Sequence, residues 1–317
     1  LLLLPLAFLL PMPGKRRLVL FFIAAYSLVM GPWFARNAIL LGSPLPPWGV
    51  KTIFLTNYDD LFSFGKEISW RSYLAWGARA VIASKLRAGW LNLQTVIAVF
   101  LMVFLTVPFA FGLRRLRCLP FLRPFFIYAL ALLLVMTFIF TYPGPRGSLF
   151  HSGGALLPSI AAVSAIGVKD LSRAWARRQG SDPETFWRVN FAAALFLALL
   201  VSSFALFRHS GPHNWNRSGE VYRSVGAWLD QNASPDALVM VGDPPCFYCY
   251  TGRSSIVIPN GDEETVLQVA RRYGASFLLL EPDHPRPLNA LYVNPFAHPR
   301  FRPVARFGQA ILFRIEP

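Results

Sequence analysis

A few side chains in this sequence have types and spacings that suit chemistry. Arg36 and Arg146 each stand at the end of an apolar run. A guanidinium stays charged and pairs two oxygens at once, which suits a phosphate. His151 follows Arg146 by five residues inside an otherwise apolar stretch, where an ionisable group is a functional candidate by default. Asn37 is next to Arg36, and Asn57-Tyr58-Asp59-Asp60 holds the adjacent acidic pair of the apolar part. Two carboxylates there suit a sugar hydroxyl or a divalent cation. Each set has a plainer reading. The arginines would snorkel from helix ends, His151 would pack on Gly153-Gly154, and Asp59 or Asp60 would cap the helix that follows.

Other candidates are weaker. Cys246 and Cys249 have redox spacing, but a redox pair sits at a helix N-terminus, whereas these follow Pro244-Pro245 and are flanked by aromatics. They read as a structural pair. His209 and His213 stand at i, i+4, yet Gly211-Pro212 interrupts any helix between them. The five His show no zinc-ligand spacing, so no metal ligands are assigned. No phosphate-binding glycine loop or nucleophile elbow occurs.

The elements that must position these residues are set by composition. Of 317 residues, 54% are hydrophobic and 15% charged, against roughly 25% charged in a soluble domain. Such an excess calls for a bilayer as solvent. The net charge of +15 is confined to residues 1–208, because residues 209–317 hold ten Arg and ten acids. Basic residues among apolar runs are topology signals, and this placement excludes a nucleic-acid partner.

A membrane helix needs about 20 residues. Residues 18–35, 88–113, 124–145, 147–168 and 189–207 predict five spans, and residues 1–10 the tail of another, with further chain expected before Leu1. The fold class is thus a polytopic α-helical membrane domain, residues 1–208, followed by a small α/β domain, residues 209–317. Lys15, Arg16 and Arg17, the arginines at 114–123, and Lys169 to Arg188 place three short segments in the cytoplasm by the positive-inside rule. Residues 36–87 and the C-terminal domain then lie outside a plasma membrane. The 36–87 loop interleaves aromatics with Lys66, Arg71, Arg79, Lys85 and Arg87. Its residues 60–87 predict amphipathic helices at the interface, facing membrane lipids.

In the C-terminal part, residues 218–232 and 262–273 predict helices. Residues 237–241, 255–258, 277–281, 302–307 and 310–315 predict strands, the last two joined at Gly308-Gln309.

One segment is more specific. Gly31-Pro32-Trp33-Phe34-Ala35-Arg36-Asn37 ends the first span, with Pro32 expected to break or kink its last turn, and Gly42-Ser43-Pro44-Leu45-Pro46 follows. With Arg146-Gly147 and the Tyr-Thr-Gly-Arg turn at 250–253, it resembles the GT-C superfamily of membrane glycosyltransferases, in particular those akin to protein O-mannosyltransferases and the lipid A aminoarabinose transferase. The resemblance implies transfer of a sugar from a polyprenyl-phosphate donor to an acceptor on the extracytoplasmic side. It implies that Arg36 and Arg146 bind the donor phosphate, and that Asn37, Tyr58, Asp59, Asp60 and His151 contact the cavity or substrate. The family's catalytic carboxylate loop is expected upstream of Leu1. No cofactor is fixed, and a divalent metal stays open. The alternative is a non-catalytic membrane protein that binds lipid-linked saccharides or serves as an assembly subunit.

Overall fold

The structure, a computed structural model, describes residues 16–117, 119–210 and 217–316. The N-terminal half-span, Cys118 and His213 lie outside these residues. The chain forms two compact units, Leu1–Tyr58 with Ile68–Phe204, and Asp59–Glu67 with Ala205–Pro317.

The first unit is helical. Its main helices are α1 (Arg16–Leu41), α2 (Ala78–Thr95), α3 (Thr106–Leu116), α4 (Arg123–Leu134), α5 (Leu157–Gln179) and α6 (Pro183–Ser210). Three helical stretches, Arg17–Leu41, Gly144–Gln179 and Pro183–Ser210, are long and apolar enough to cross a membrane, and Arg123–Ile139 is a shorter apolar one. The described residues therefore give three membrane-length helices where the sequence predicts five.

The differences have local causes. The apolar run 88–113 is not one helix. After α2 a π-helical turn, Val96–Phe100, leads into a break in which Met102 and Val103 take positive φ. The helix restarts at Thr106, so Pro108 falls in a first turn, where its missing N–H removes no helical bond. The run 124–145 loses its helix at Phe140, ahead of Pro143 and Pro145. Between Arg146 and Ser148 the path breaks again at Gly147, with φ +125°. Downstream, α5 carries Lys169 to Arg178 as part of the helix and stops at left-handed Gly180. The expected basic connection there is thus mostly helix. Pro32 does not end α1, which runs on to Leu41. One proline removes a single backbone bond, and membrane helices tolerate this. Arg36 and Asn37 accordingly lie within the helix. The 36–87 segment is less of a loop than expected, because α2 begins at Ala78 and a short helix, Trp70–Ala75, precedes it under a Ser69/Ser72 capping box. Gly77, at φ +95°, separates the two.

Helices α3 and α5 pack very closely. A Cβ on Gly167 would stand 1.7 Å from the Pro108 carbonyl oxygen, and one on Gly112 2.0 Å from that of Val163. Small residues permit such an approach where the surrounding solvent is as apolar as the side chains.

The second unit is an α/β sandwich. Its elements are α7 (Arg217–Asn232), β1 (Leu238–Val241), α8 (Pro244–Thr251), β2 (Ser255–Val257), α9 (Glu263–Tyr273), β3 (Ala275–Leu280), β4 (Phe301–Phe307) and β5 (Ala310–Ile315). The sheet order is β2-β1-β3-β5-β4. β1 is parallel to β2 and β3, while β5 is antiparallel to β3 and β4. Strand alternation sends Met240, Leu278, Leu280, Ile311 and Phe313 to one face, onto Val266, Leu267 and Ala270 of α9. Val239, Val241, Phe277, Leu279 and Leu312 fill the other, against Tyr222, Val225 and Leu229 of α7 and Phe247 of α8. Residues 59–67 join this unit, since the Asn260 N–H donates to the Phe62 carbonyl at 2.8 Å.

Helix α8 corrects one expectation. Pro244 and Pro245 occupy its first turn, and Asp243 caps it by accepting from the Cys246 N–H at 3.2 Å. The Cys246/Cys249 pair therefore does stand at a helix start. Its thiols are free, and burial pushes Cys246 upward in pKa, with Asp243 adding to the effect. That is opposite to the shift which activates a redox thiol.

Candidate functional site

In the first unit two basic side chains converge on one cavity of about 240 Å³. Ser84, Arg87, Ala88 and Leu91, spaced i, i+3, i+4 and i+7, line one wall from a single face of α2. Thr141, Tyr142, Pro145 and Arg146 line the opposite wall from the segment broken by its prolines, and Asn57 and Tyr58 complete it. The Arg146 guanidinium lies over the Tyr58 ring, 5.0 Å from its centroid. This contact holds a long, exposed side chain in place and leaves its N–H edges for an acceptor.

Polar bonds fix the wall behind the cavity. The Thr141 hydroxyl donates to the Thr137 carbonyl at 3.1 Å and accepts from the Lys85 ammonium. Lys85 also lies over Tyr73, 5.4 Å from the ring centroid. Asn92, buried to 1% exposure, donates to the Thr137 hydroxyl at 3.1 Å. These links tie α2 to the 135–146 segment, so the two arginine-bearing walls have a common frame.

Of the residues singled out in the sequence, Tyr58 and Arg146 meet here. His151 lies one turn past Gly147, exposed, with its ring edge-on to Phe150. Asn37 is buried and donates from Nδ2 to the Pro44 carbonyl at 3.4 Å, which closes the turn after α1. Arg36 is exposed beside it. Asp59 and Asp60 belong to the second unit, within a 3-10 turn, Tyr58–Phe62, rather than capping a helix. Asp60 is buried and forms an ion pair with Lys66 at 2.6 Å. In the sequence Arg87 stands only among the basic residues of its loop. The signal that places it in the cavity is its shared face with Ser84, Ala88 and Leu91.

A second cavity, of about 400 Å³, lies in the second unit beyond the carboxyl ends of β1 and β3. Tyr222, Asp243, Glu281 and Asp283 are in its lining. The Tyr222 hydroxyl donates to Glu281 Oε2 at 2.8 Å. Burial raises the Glu281 pKa above the ordinary carboxylate range. The Tyr222 bond opposes this, and the neighbouring Asp243 and Asp283 reinforce it. Burial and that same bond raise the Tyr222 phenol. Among the described residues no three His, Cys, Asp or Glu side chains are grouped to hold a metal ion.

Compared with known proteins, the chain matches no family model, and no curated protein or solved structure is significantly similar to it.

Proposed function

We propose that this chain is part of a membrane glycosyltransferase of the GT-C kind, which takes its sugar from a polyprenyl-phosphate donor. In this reading the membrane is crossed five times and the 36–87 segment and the C-terminal unit face the extracytoplasmic side. The observation that carries the proposal is the joint lining of one cavity by Arg87, Arg146 and Tyr58. In the reaction the acceptor oxygen bonds to the anomeric carbon, the bond from that carbon to the phosphate oxygen breaks, and the acceptor proton passes to a base. The leaving phosphate gains negative charge as the bond breaks. Two guanidiniums placed beforehand stabilise that charge more than they stabilise the intact donor. Tyr58 keeps Arg146 in place, and the links from Lys85 and Asn92 keep the walls from separating.

The test is binding of polyprenyl phosphate to the purified full chain in nanodiscs. A charge-assisted hydrogen bond contributes about 1.5–3 kcal/mol, so Arg87→Ala combined with Arg146→Ala is expected to weaken binding at least 100-fold. The same loss should appear in transfer of a labelled sugar by a chain that carries its upstream residues. Undiminished binding in a folded double variant would refute the proposal. Binding without transfer by a chain that carries its upstream residues would favour the non-catalytic saccharide binder.

A further inference from the structure

Helix α3 presents two faces with different neighbours. Pro108, Gly112 and Arg115, at i, i+4 and i+7, meet α5, where Arg115 forms an ion pair with Asp170. Ala110, Leu113, Arg114 and Arg117, at i, i+3, i+4 and i+7, lie on another face. With Phe126 of α4 they line a cavity of about 360 Å³. Ala110, Leu113 and Phe126 give it apolar surface. Arg114 and Arg117 are exposed, and among the described residues neither forms an ion pair.

We infer that this cavity binds the headgroup of an anionic phospholipid. The phosphodiester sits between Arg114 and Arg117, and the first acyl carbons lie along Ala110, Leu113 and Phe126. Charge complementarity selects the headgroup, because two guanidiniums with no carboxylate against them attract an anion. The apolar wall selects a lipid over a soluble anion, since a free phosphate has nothing to place there. Arg115 is occupied by Asp170, so the charge at this helix end is divided between a protein contact and an open site. Basic pockets between membrane helices commonly hold such headgroups. The inference rests on the chain being membrane-embedded and is independent of the cavity at Arg146.

The experiment is native mass spectrometry of the detergent-solubilised full chain, titrated with phosphatidylglycerol and, separately, phosphatidylcholine. Phosphatidylglycerol should be retained in preference. Each arginine is worth roughly fivefold in affinity near a membrane surface, so Arg114→Ala with Arg117→Ala should cost roughly 30-fold. Arg177→Ala with Arg178→Ala removes equal charge outside the cavity and should leave retention unchanged. Ala110→Trp fills the apolar wall, keeps both arginines and should abolish the preference. Equal loss in the 177/178 pair, or parent-like retention by Ala110→Trp, would overturn the site. So would displacement by inorganic phosphate at the concentration of the lipid. Failure of the parent chain to co-sediment with phosphatidylcholine vesicles would instead remove the embedding on which the inference depends.

Discussion

Arg146 and Tyr58 are 88 positions apart in the sequence, yet the guanidinium of one lies 5.0 Å from the ring centroid of the other. The contact joins the segment after α1 to the proline-rich break before α5. It makes the position of Arg146 depend on an aromatic face rather than on an opposite charge. A carboxylate in that place would hold the arginine more tightly but would compete with the phosphate of the proposed donor. The π face attracts the cation while leaving its hydrogen-bond donors unused.

On the proposed function, Tyr58→Ala is expected to weaken polyprenyl-phosphate binding by about two- to fivefold, as a cation–π contact is worth roughly 0.5–1 kcal/mol at an exposed site. Tyr58→Phe keeps the ring and should bind nearly as the parent does. Titration of both variants in nanodiscs reads the difference. Equal loss in both would assign the effect to the hydroxyl.

Gly167→Ala should destabilise the first unit by at least about 2 kcal/mol, at the upper end of the usual cost of overpacking. The added carbon would meet backbone oxygen, which cannot rotate away, so α3 and α5 must separate. Gly154→Ala is the control, because nothing lies within 4 Å of the carbon it adds. Thermal unfolding in detergent should show a lowered midpoint for the first variant and little change for the second.

Arg253→Lys should loosen the second unit by about 1–3 kcal/mol, the cost of leaving a buried cation short of hydrogen-bond partners. Arg253 is 8% exposed and donates to Asp230 from Nε and Nη2, and to the Ser234 carbonyl from Nη1. Asp230 is largely exposed, so the ion pair itself is screened and contributes little. The loss comes from the fork geometry, which an ammonium cannot reproduce. Faster hydrogen exchange at the β1 and β2 amides, measured by mass spectrometry, is the expected sign.

Glu281→Gln should change how stability depends on pH. The folded unit holds the Glu281 proton to a higher pH than the unfolded chain does. Between the ordinary carboxylate pKa and the raised one the native state binds more protons, so stability falls as pH rises through that window. Glutamine still accepts from Tyr222 and has no proton to lose. The melting temperature of the variant should therefore draw above that of the parent from about pH 4.3 towards neutrality. Parallel curves would show that Glu281 ionises in the folded unit without penalty.

The second unit was largely legible in its sequence because each of its signals is local. Asp262 before α9, Gly274 after it, and Gly308-Gln309 between two strands act within a few residues, and the structure uses all of them. The first unit was less so. Hydropathy reports which residues avoid water but not where a helix breaks. The turn at Met102-Val103 carries no glycine, and its position depends on where Pro108 can sit and on how closely Gly112 approaches α5. The cavity was half legible. Arg146 and Tyr58 stand out among apolar neighbours, whereas Arg87 becomes visible only once α2 begins at Ala78 rather than after residue 87. Helix α8 was hidden by Pro244-Pro245, a pair that stops a helix from the inside and starts one at its first turn.

The strand order leaves β2 and β4 at the two margins of the sheet. An open margin would invite strands of other chains to add on. Neither margin offers much to add to. β2 has only three residues, and β4 carries Pro303, which has no N–H, between the exposed charges of Arg302 and Arg306. Short, charged or proline-bearing margins resist such pairing. The sheet can thus end within one molecule without growing into the next.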